Sequence, residues 1–396
     1  MRRLPRQVVL LGWISLLADV SGEMTAPLIP LYLTGVLGAG TIALGVVEGC
    51  AEAVVTAMKA VAGWHSDRAR RRVPYIRWGY ALPVLGKAVI AAAVAWPMVG
   101  AGRVLDRFGK GLRTTPRDAL LADAAPPEAR GHAFGLHRAM DTAGALAGAL
   151  VAAALLALLG ASASPEAAPA WRWTLGAAAA AGVACWSLTL LLRDVPPRDA
   201  PAADGAAQGA APLPRSFWRA TGALCIFALG NGSDAFLLLR ASETGLSPVS
   251  VVLSYALFNA VYAAASLPAG RLSDRVGRAW LLRTGWILQG GVYLAFAHAS
   301  EGWHCFALMA LYGLAVACHE GVGKALIADA APPSRRGTAM GIAFGCMGAC
   351  ALVASVGTGW IWHAAGARWA LSVGLITSLA AALVLSLRGR TADSRP

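Results

Sequence analysis

The stretch Gly63-Trp-His-Ser-Asp67-Arg68-Ala-Arg70-Arg71-Arg72 decides the fold, because its pattern returns 207 residues later as Gly270-Arg-Leu-Ser-Asp274-Arg275-Val-Gly277-Arg278. A second segment repeats at nearly the same distance. Leu120-Leu-Ala-Asp123-Ala-Ala-Pro-Pro-x-x-Arg130-Gly131 reappears 206 residues on as Leu326-Ile-Ala-Asp329-Ala-Ala-Pro-Pro-x-x-Arg336-Gly337. Two unrelated motifs recurring at one spacing mark the chain as an internal duplication.

Composition says where the duplicated unit lives. Of the 396 residues 57% are hydrophobic and only 14% charged, and the mean hydropathy is +0.58, against roughly 25% charged residues in a soluble domain. That deficit predicts a bilayer protein. The net charge of +13 does not point to nucleic acid, because the bases sit in short hops between apolar runs and not on one polar domain. The seven cysteines lie inside apolar segments with no CxxC and no histidine at ligand spacing, so no metal site and no cofactor are expected. The N-terminal Met1-Arg-Arg-Leu-Pro-Arg runs straight into an apolar stretch, which predicts a retained first span and no cleaved leader.

A spanning helix needs about 20 apolar residues. The sequence predicts twelve spans, at 8–35, 42–63, 75–98, 99–122, 131–158, 171–192, 216–240, 247–268, 279–298, 303–327, 336–360 and 367–387. Arginines crowd alternate connections, and the remaining connections hold little beyond Arg172 and Arg368. By the positive-inside rule both termini are expected in the cytoplasm, in a multi-pass protein of the cell's inner membrane. The fold class expected is therefore an all-α membrane protein of twelve transmembrane helices arranged as two parallel six-helix repeats. Residues 1–193 form the first bundle, 194–214 an Ala-, Pro- and Gly-rich cytoplasmic linker, and 215–396 the second bundle.

The duplicated twelve-span plan and the loop Gly63-x-x-x-Asp67-Arg68-x-Arg70-Arg71-Arg72 resemble the major facilitator superfamily, whose signature there is Gly-x-x-x-Asp-Arg-x-Gly-Arg-Arg/Lys. The first copy departs by carrying Arg70 where the pattern has Gly, while the second keeps Gly277. Asp19-x-Ser-x-Glu23-x-x-x-Pro27, Gly109-Lys-Gly-x-Arg-Thr-x-Pro-Arg-Asp118 and His137-Arg-Ala-Met-Asp141 are similar to an uncharacterised bacterial branch of that superfamily. The resemblance implies a cytoplasmic gate built from Gly63, Asp67, Arg68, Arg71 and Asp123 in the first half and Gly270, Asp274, Arg275 and Asp329 in the second, closed in the outward-facing state. The plain alternative is a basic loop that only sets topology.

The fourth span is the least apolar. Arg103, Asp106, Arg107, Lys110, Arg113, Arg117 and Asp118 fall within an arc of about 140° at 100° per residue. A lipid-exposed charge is costly, so this face must line a wet cavity or meet acids on other helices. Acids are available: Asp19 and Glu23 on the first span, Glu48 and Glu52 on the second, Asp141 beside Arg138 on the fifth. Intramembrane acids and bases balance, so one reading is a purely structural pairing network. The other is that Arg107 and Lys110 bind an anionic group while Asp19, Glu23, Glu52 or Asp141 carries a coupling proton. The second half contributes Asn231 and Asp234 on the seventh span, Asn259 on the eighth, and His319 and Glu320 on the tenth. Charge handling is thus concentrated in the first half.

No Gly-x-x-x-x-Gly-Lys-Ser/Thr loop and no nucleophile–base set occurs, so neither an ATP-driven pump nor an enzyme is expected. The expected function is a proton-coupled secondary transporter of a small solute, an organic anion, working by alternating access as a monomer with the bilayer as its other partner. The competing readings are an exporter of multidrug or other amphipathic compounds, and a membrane sensor that keeps the fold without transport.

Overall fold

The computed structural model describes residues 4–69, 71–126, 129–195, 212–332 and 336–387, and among them there are helices and turns but no strand. The helices are α1 (Arg6–Thr25), α2 (Leu28–Leu31), α3 (Thr41–Ala69), α4 (Val73–Ala91), α5 (Trp96–Ala124), α6 (Arg130–Leu158) and α7 (Ala168–Thr189), followed by α8 (Arg215–Gly230), α9 (Ala235–Glu243), α10 (Pro248–Val276), α11 (Arg278–His298), α12 (Gly302–Ala330), α13 (Arg336–Ala365) and α14 (Ala367–Ser386). The duplication read from sequence is a duplication of helices. α3 and α10 are each 29 residues long, and so are α5 and α12.

Two of the expected continuous spans are broken. α1 stops at Thr25 and resumes as α2 after Pro27, then loosens into a π turn over Tyr32–Val36; Pro27 has no N–H to continue the ladder. In the second half α8 stops at Gly230, Asn231 leaves helical backbone at φ −95°, ψ 74°, and α9 begins after Asp234. Counting each broken pair as one rod gives twelve rods among the described residues, six per half. The boundary between the third and fourth rods also lies earlier than expected: α4 ends at Ala91, and Trp96-Pro97 starts α5 with proline in the first turn, where a missing N–H is harmless. Two connections are single glycines at positive φ, Gly277 (90°) between α10 and α11 and Gly366 (89°) between α13 and α14, a conformation that a side chain would strain.

Among the described residues eight helical stretches, α1–α2 and α8–α9 included, are long and apolar enough to cross a membrane. Exposed tryptophans gather at two levels. Trp64, Trp78, Trp218 and Trp280 lie where rods begin or end on the arginine-rich face, and Trp96, Trp173, Trp303 and Trp369 on the opposite face. Two belts of exposed indoles are what a bilayer's two interfaces select, and the chain is a multi-pass membrane protein.

Within the first half α5 packs between α3 and α4, and α1 between α6 and α7; the second half repeats this with α12 against α10 and α11. The halves meet where α3 lies on α13, α6 on α10 and α2 on α9. The α3–α13 crossing is backbone to backbone: a Cβ on Gly45 would stand 2.4 Å from the Ser355 carbonyl, and one on Gly359 2.4 Å from that of Thr41. On this face, away from the arginine-rich loops, one apolar core runs through both halves and includes Leu28, Tyr32, Phe236, Leu239 and Trp362. Toward the arginine-rich face the core divides into two, one around Ile14, Ile76 and Leu120 and one around Phe217, Trp286 and Ile327. The halves are joined on one face and separate on the other.

Of the expected linker, residues 196–211 lie outside the described residues. Asp194 belongs to the bundle: its Oδ1 accepts from the backbone N–H groups of Arg72 (2.7 Å) and Val73 (2.9 Å), capping α4.

Candidate functional site

The charged face of α5 separates into paired and unpaired groups. Arg103 donates to both carboxylate oxygens of Glu48 on α3, at 2.9 and 3.1 Å. Lys87 on α4 donates to Asp106 at 3.1 Å, and Arg103 lies 3.8 Å from the other Asp106 oxygen. All four side chains are buried. They meet because α4 and α5 cross at glycines: a Cβ on Gly102 would be 2.5 Å from the Gly86 carbonyl. The result is an ionic clamp of α3, α4 and α5 inside the first half. Arg113 turns toward α4 as well, 4.1 Å from the Tyr80 ring centre, and Arg117 pairs with neighbouring Asp118 at 2.8 Å.

One turn further along α5, Arg107 and Lys110 are half-buried, and among the described residues neither side chain has a hydrogen-bond or ion-pair partner. Lys110 feels the Asp19 and Glu23 carboxylates of α1 and the Arg107 and Arg113 guanidiniums. Glu52 and Lys59, exposed on α3, also lack a direct partner among the described residues. Asp19 and Asp141 bring their carboxyl groups within hydrogen-bond reach. Asp141 additionally accepts from Ser15 (2.6 Å) and from Arg138 (3.3 Å).

Among the described residues four hydrogen bonds cross between the halves; Thr41 donates to the Gly359 carbonyl at 2.9 Å in the α3–α13 crossing, and the other three each set a charged group of the first half against a hydroxyl of the second. Ser233 donates to Glu48 at 3.2 Å, Tyr255 to Glu23 at 2.8 Å, and Arg138 donates to the Tyr262 oxygen at 3.1 Å. Tyr262 in turn donates to Glu320 (2.7 Å), which Lys324 also contacts at 3.2 Å. A cleft of about 480 Å³ opens on the arginine-rich face between Arg138, Tyr262, Glu320, Lys324 and the α10 terminus at Asp274.

The second half offers an aromatic and neutral-polar wall. Tyr255, Phe258 and Tyr262 stack along α10, and Phe258 stacks on Tyr312 with centroids 5.0 Å apart. Asn231, freed by the break after α8, accepts from Gln289 and from Tyr293, each at 2.7 Å, and Gln289 bonds onward to His319. His319 is buried against Phe227. Asp234 accepts from Tyr312, and Asn259 has its Nδ2 buried without a partner among the described residues.

The gate motif is arranged differently from the expected loop. Gly63 to Ala69 is helical, the last turns of α3. The Asp67 side chain and residue Arg70 lie outside the described residues. Asp123 pairs with Arg72 at 2.9 Å, while Arg68 lies over the Trp64 ring and Arg71 is exposed. The second half repeats this pair as Arg278–Asp329, with Asp274 and Arg275 exposed. Arg72 and Arg278 are 206 apart, as are Asp123 and Asp329. Both pairs lie within one half and tie the start of its third rod to the end of its fourth. The two motif glycines differ in role: a Cβ on Gly63 would press 2.8 Å from Thr115 on α5, whereas Gly270 has open space.

The residues that sequence reasoning passed over are mostly neutral. Tyr312, Gln289 and Ser15 carry no charge-pattern signal, although Arg72 and Arg278 were recoverable from the 206-residue offset.

Residues 11–239 and again 220–396 match the Major Facilitator Superfamily. An uncharacterised MFS-type transporter of Methanocaldococcus jannaschii is 32% identical over 370 residues, 91% of this chain and 89% of the relative. An uncharacterised protein of Mycobacterium tuberculosis is 30% identical over 392 residues, 96% and 90% of the two chains. Among solved structures, that of a D-xylose–proton symporter superposes with a TM-score of 0.78 over 96% of both chains, at 17% identity, a likeness of fold.

Proposed function

The chain belongs to the Major Facilitator Superfamily, a family of transporters and not of enzymes, and from that premise we propose that it carries a small organic anion across the cytoplasmic membrane by proton-coupled alternating access. The arginine-rich face is cytoplasmic, both termini lie there, and twelve spans in two six-span bundles, 1–193 and 215–396, rock about the seam. The protein works as a monomer. The arrangement described corresponds to the inward-facing state, joined outside and parted within.

One observation carries the substrate class. Arg107 and Lys110 stand half-buried on the cavity-side rod with no ion-pair partner among the described residues, while Arg103 and Lys87 beside them are fully paired. A buried cation left unpaired is costly unless an anion completes it. Arg107 and Lys110 thus form the anion seat, with the Asp19 and Glu23 carboxyls of α1 facing Lys110. Asp67, Arg68, Arg71, Asp274 and Arg275 serve a cytoplasmic gate that forms in the outward-facing state.

The test is a melting-temperature screen of the purified protein with carboxylate, phosphate, cationic and neutral solutes, since a ligand of the folded state raises stability by mass action. Anions are expected to raise the melting temperature of the wild type and not of Arg107→Ala or Lys110→Ala. Equal shifts in all three would sink the anion seat. The aromatic wall of α10 with Glu23 and Asp234 favours a second reading, export of amphipathic cations, which a response to ring-bearing cations alone would select. Proteoliposome flux of whichever solute binds, with and without an imposed pH gradient, tests proton coupling.

A further inference from the structure

The break between α8 and α9 leaves one acid that the pairing scheme does not use. Asp234 sits at the first turn of α9, accepts one hydrogen bond, from Tyr312 on α12, and has no base within ion-pair distance among the described residues. The titratable groups that act on it include Glu23 of α1, Glu48 of α3, Tyr255 of α10, Tyr293 of α11, and Tyr312 and Glu320 of α12; Glu48 is itself paired with Arg103 and Glu320 with Lys324. A carboxylate in a membrane interior with no base in direct contact, beside acids whose own charges are already met by Arg103 and Lys324, is unfavourable in its ionised form. A proton resolves this where an alkali cation does not, because one phenol oxygen is far short of a cation's coordination shell.

The position of this acid ties it to the outer seam. Ser233, next in the chain, makes the inter-half hydrogen bond to Glu48, and α9 packs on α2 in the core that joins the halves. We propose that Asp234 is a proton-binding site of this carrier and that its protonation is what permits the outer seam to close. In the outward-open form Asp234 takes a proton from outside water. Neutral Asp234 then accepts burial beside Tyr312, and α9 seats against α2. Loss of that proton to the inner cavity leaves an unpaired anion at the seam and drives it open again. The balance is one proton taken up and one released per cycle at this carboxyl, with no other bond changed. This deepens the proton-coupled reading above but is tested without a transported solute.

The first measurement is infrared difference spectroscopy of the protein in lipid across stepped pH. A neutral carboxylic-acid carbonyl band is expected to titrate in the wild type, to vanish in Asp234→Asn and to move in frequency in Tyr312→Phe, while Asp19→Asn retains it. The second is alkylation of Leu28→Cys on α2 from outside, read by peptide mass and normalised to Ser162→Cys on the exposed outer loop. Labelling should rise with pH in the wild-type background and stay low at every pH with Asp234→Asn. Persistence of the full band in Asp234→Asn, or pH-dependent opening of that variant like the wild type, overturns the assignment. So does loss of the band on replacing potassium by sodium at fixed pH, which would mark an alkali-cation site. If Asp234→Asn does not fold, an unmoved band in Tyr312→Phe overturns it. A titrating Asp234 band with flux indifferent to a pH gradient would end the proton-coupled reading and the uptake and release at Asp234 in each cycle, leaving only a proton-binding contact at the seam. Proton-driven flux with an unaltered band would do the reverse.

Discussion

Tyr255 on α10 gives its phenolic hydrogen to Glu23 on α1 at 2.8 Å, across the seam between the two halves. A phenol satisfies a carboxylate without neutralising it, so the contact can be broken in each cycle without separating an ion pair. Hydrogen bonds to charged groups contribute about 1.5–3 kcal/mol. Tyr255→Phe should therefore lower the stability of the seam-closed form by an amount in that range, and melting curves at fixed detergent should show the decrease. A variant as stable as the wild type would mean that water replaces the phenol.

The ionic clamp predicts a contrast among the buried charges. Glu48→Gln or Asp106→Asn leaves Arg103 or Lys87 without its partner, and breaking one side of a buried pair costs about 3–5 kcal/mol. Arg107→Ala should leave folding nearly unchanged, because no partner is lost. Thermal unfolding of the three variants checks this, and similar losses in all of them would erase the distinction between clamp and seat.

The α3–α13 crossing tolerates no side chain at Gly45, where a Cβ would meet the Ser355 carbonyl at 2.4 Å. Gly45→Leu should wedge this face apart. Leu28, fully buried here, should then react as Leu28→Cys with an external maleimide roughly tenfold faster, the size expected when about 1.4 kcal/mol is removed from one side of a two-state balance. An unchanged labelling rate would show that the crossing flexes.

The two symmetric pairs should differ in strength. Arg72 and Asp123 keep 14% and 11% of their side-chain surface, Arg278 and Asp329 30% and 56%. Exposed pairs contribute about 0–1 kcal/mol, so Arg278→Ala should be close to neutral in melting temperature and Arg72→Ala visibly destabilising. Equal effects would count against burial as the cause.

The twofold helix plan was legible because repetition needs only an offset. The matched lengths of α3 with α10 and α5 with α12 follow from the Gly63/Gly270 and Leu120/Leu326 repeats. The breaks were not legible, because Leu229-Gly-Asn231-Gly-Ser-Asp234-Ala-Phe236 stays apolar enough to read as one span, although Gly232 and Pro27 were the available signs. The angular clustering of charge on α5 was legible; its division was not. Whether Arg103 meets Glu48 or a solute depends on how closely α3 and α5 cross, which glycine backbones set and hydropathy does not record. The Arg72–Asp123 pair was not legible for a similar reason. With α3 helical through Ala69, Arg68 is carried over the Trp64 ring, and the chain has to turn before Arg72 can face Asp123.

The single apolar core that bridges the halves on one face, set against two divided cores on the other, also has a kinetic meaning. Opening the bridged face wets side chains such as Leu28, Phe236 and Trp362, at about 25 cal/mol for each Å² exposed, whereas parting the divided face wets little that is not already separate. If the two halves alternate as proposed, the empty carrier is expected to rest with its bridged face shut, and the return to the opposite orientation is the expected slow step. Exchange of solute for solute, which avoids the empty return, should run faster than net flux.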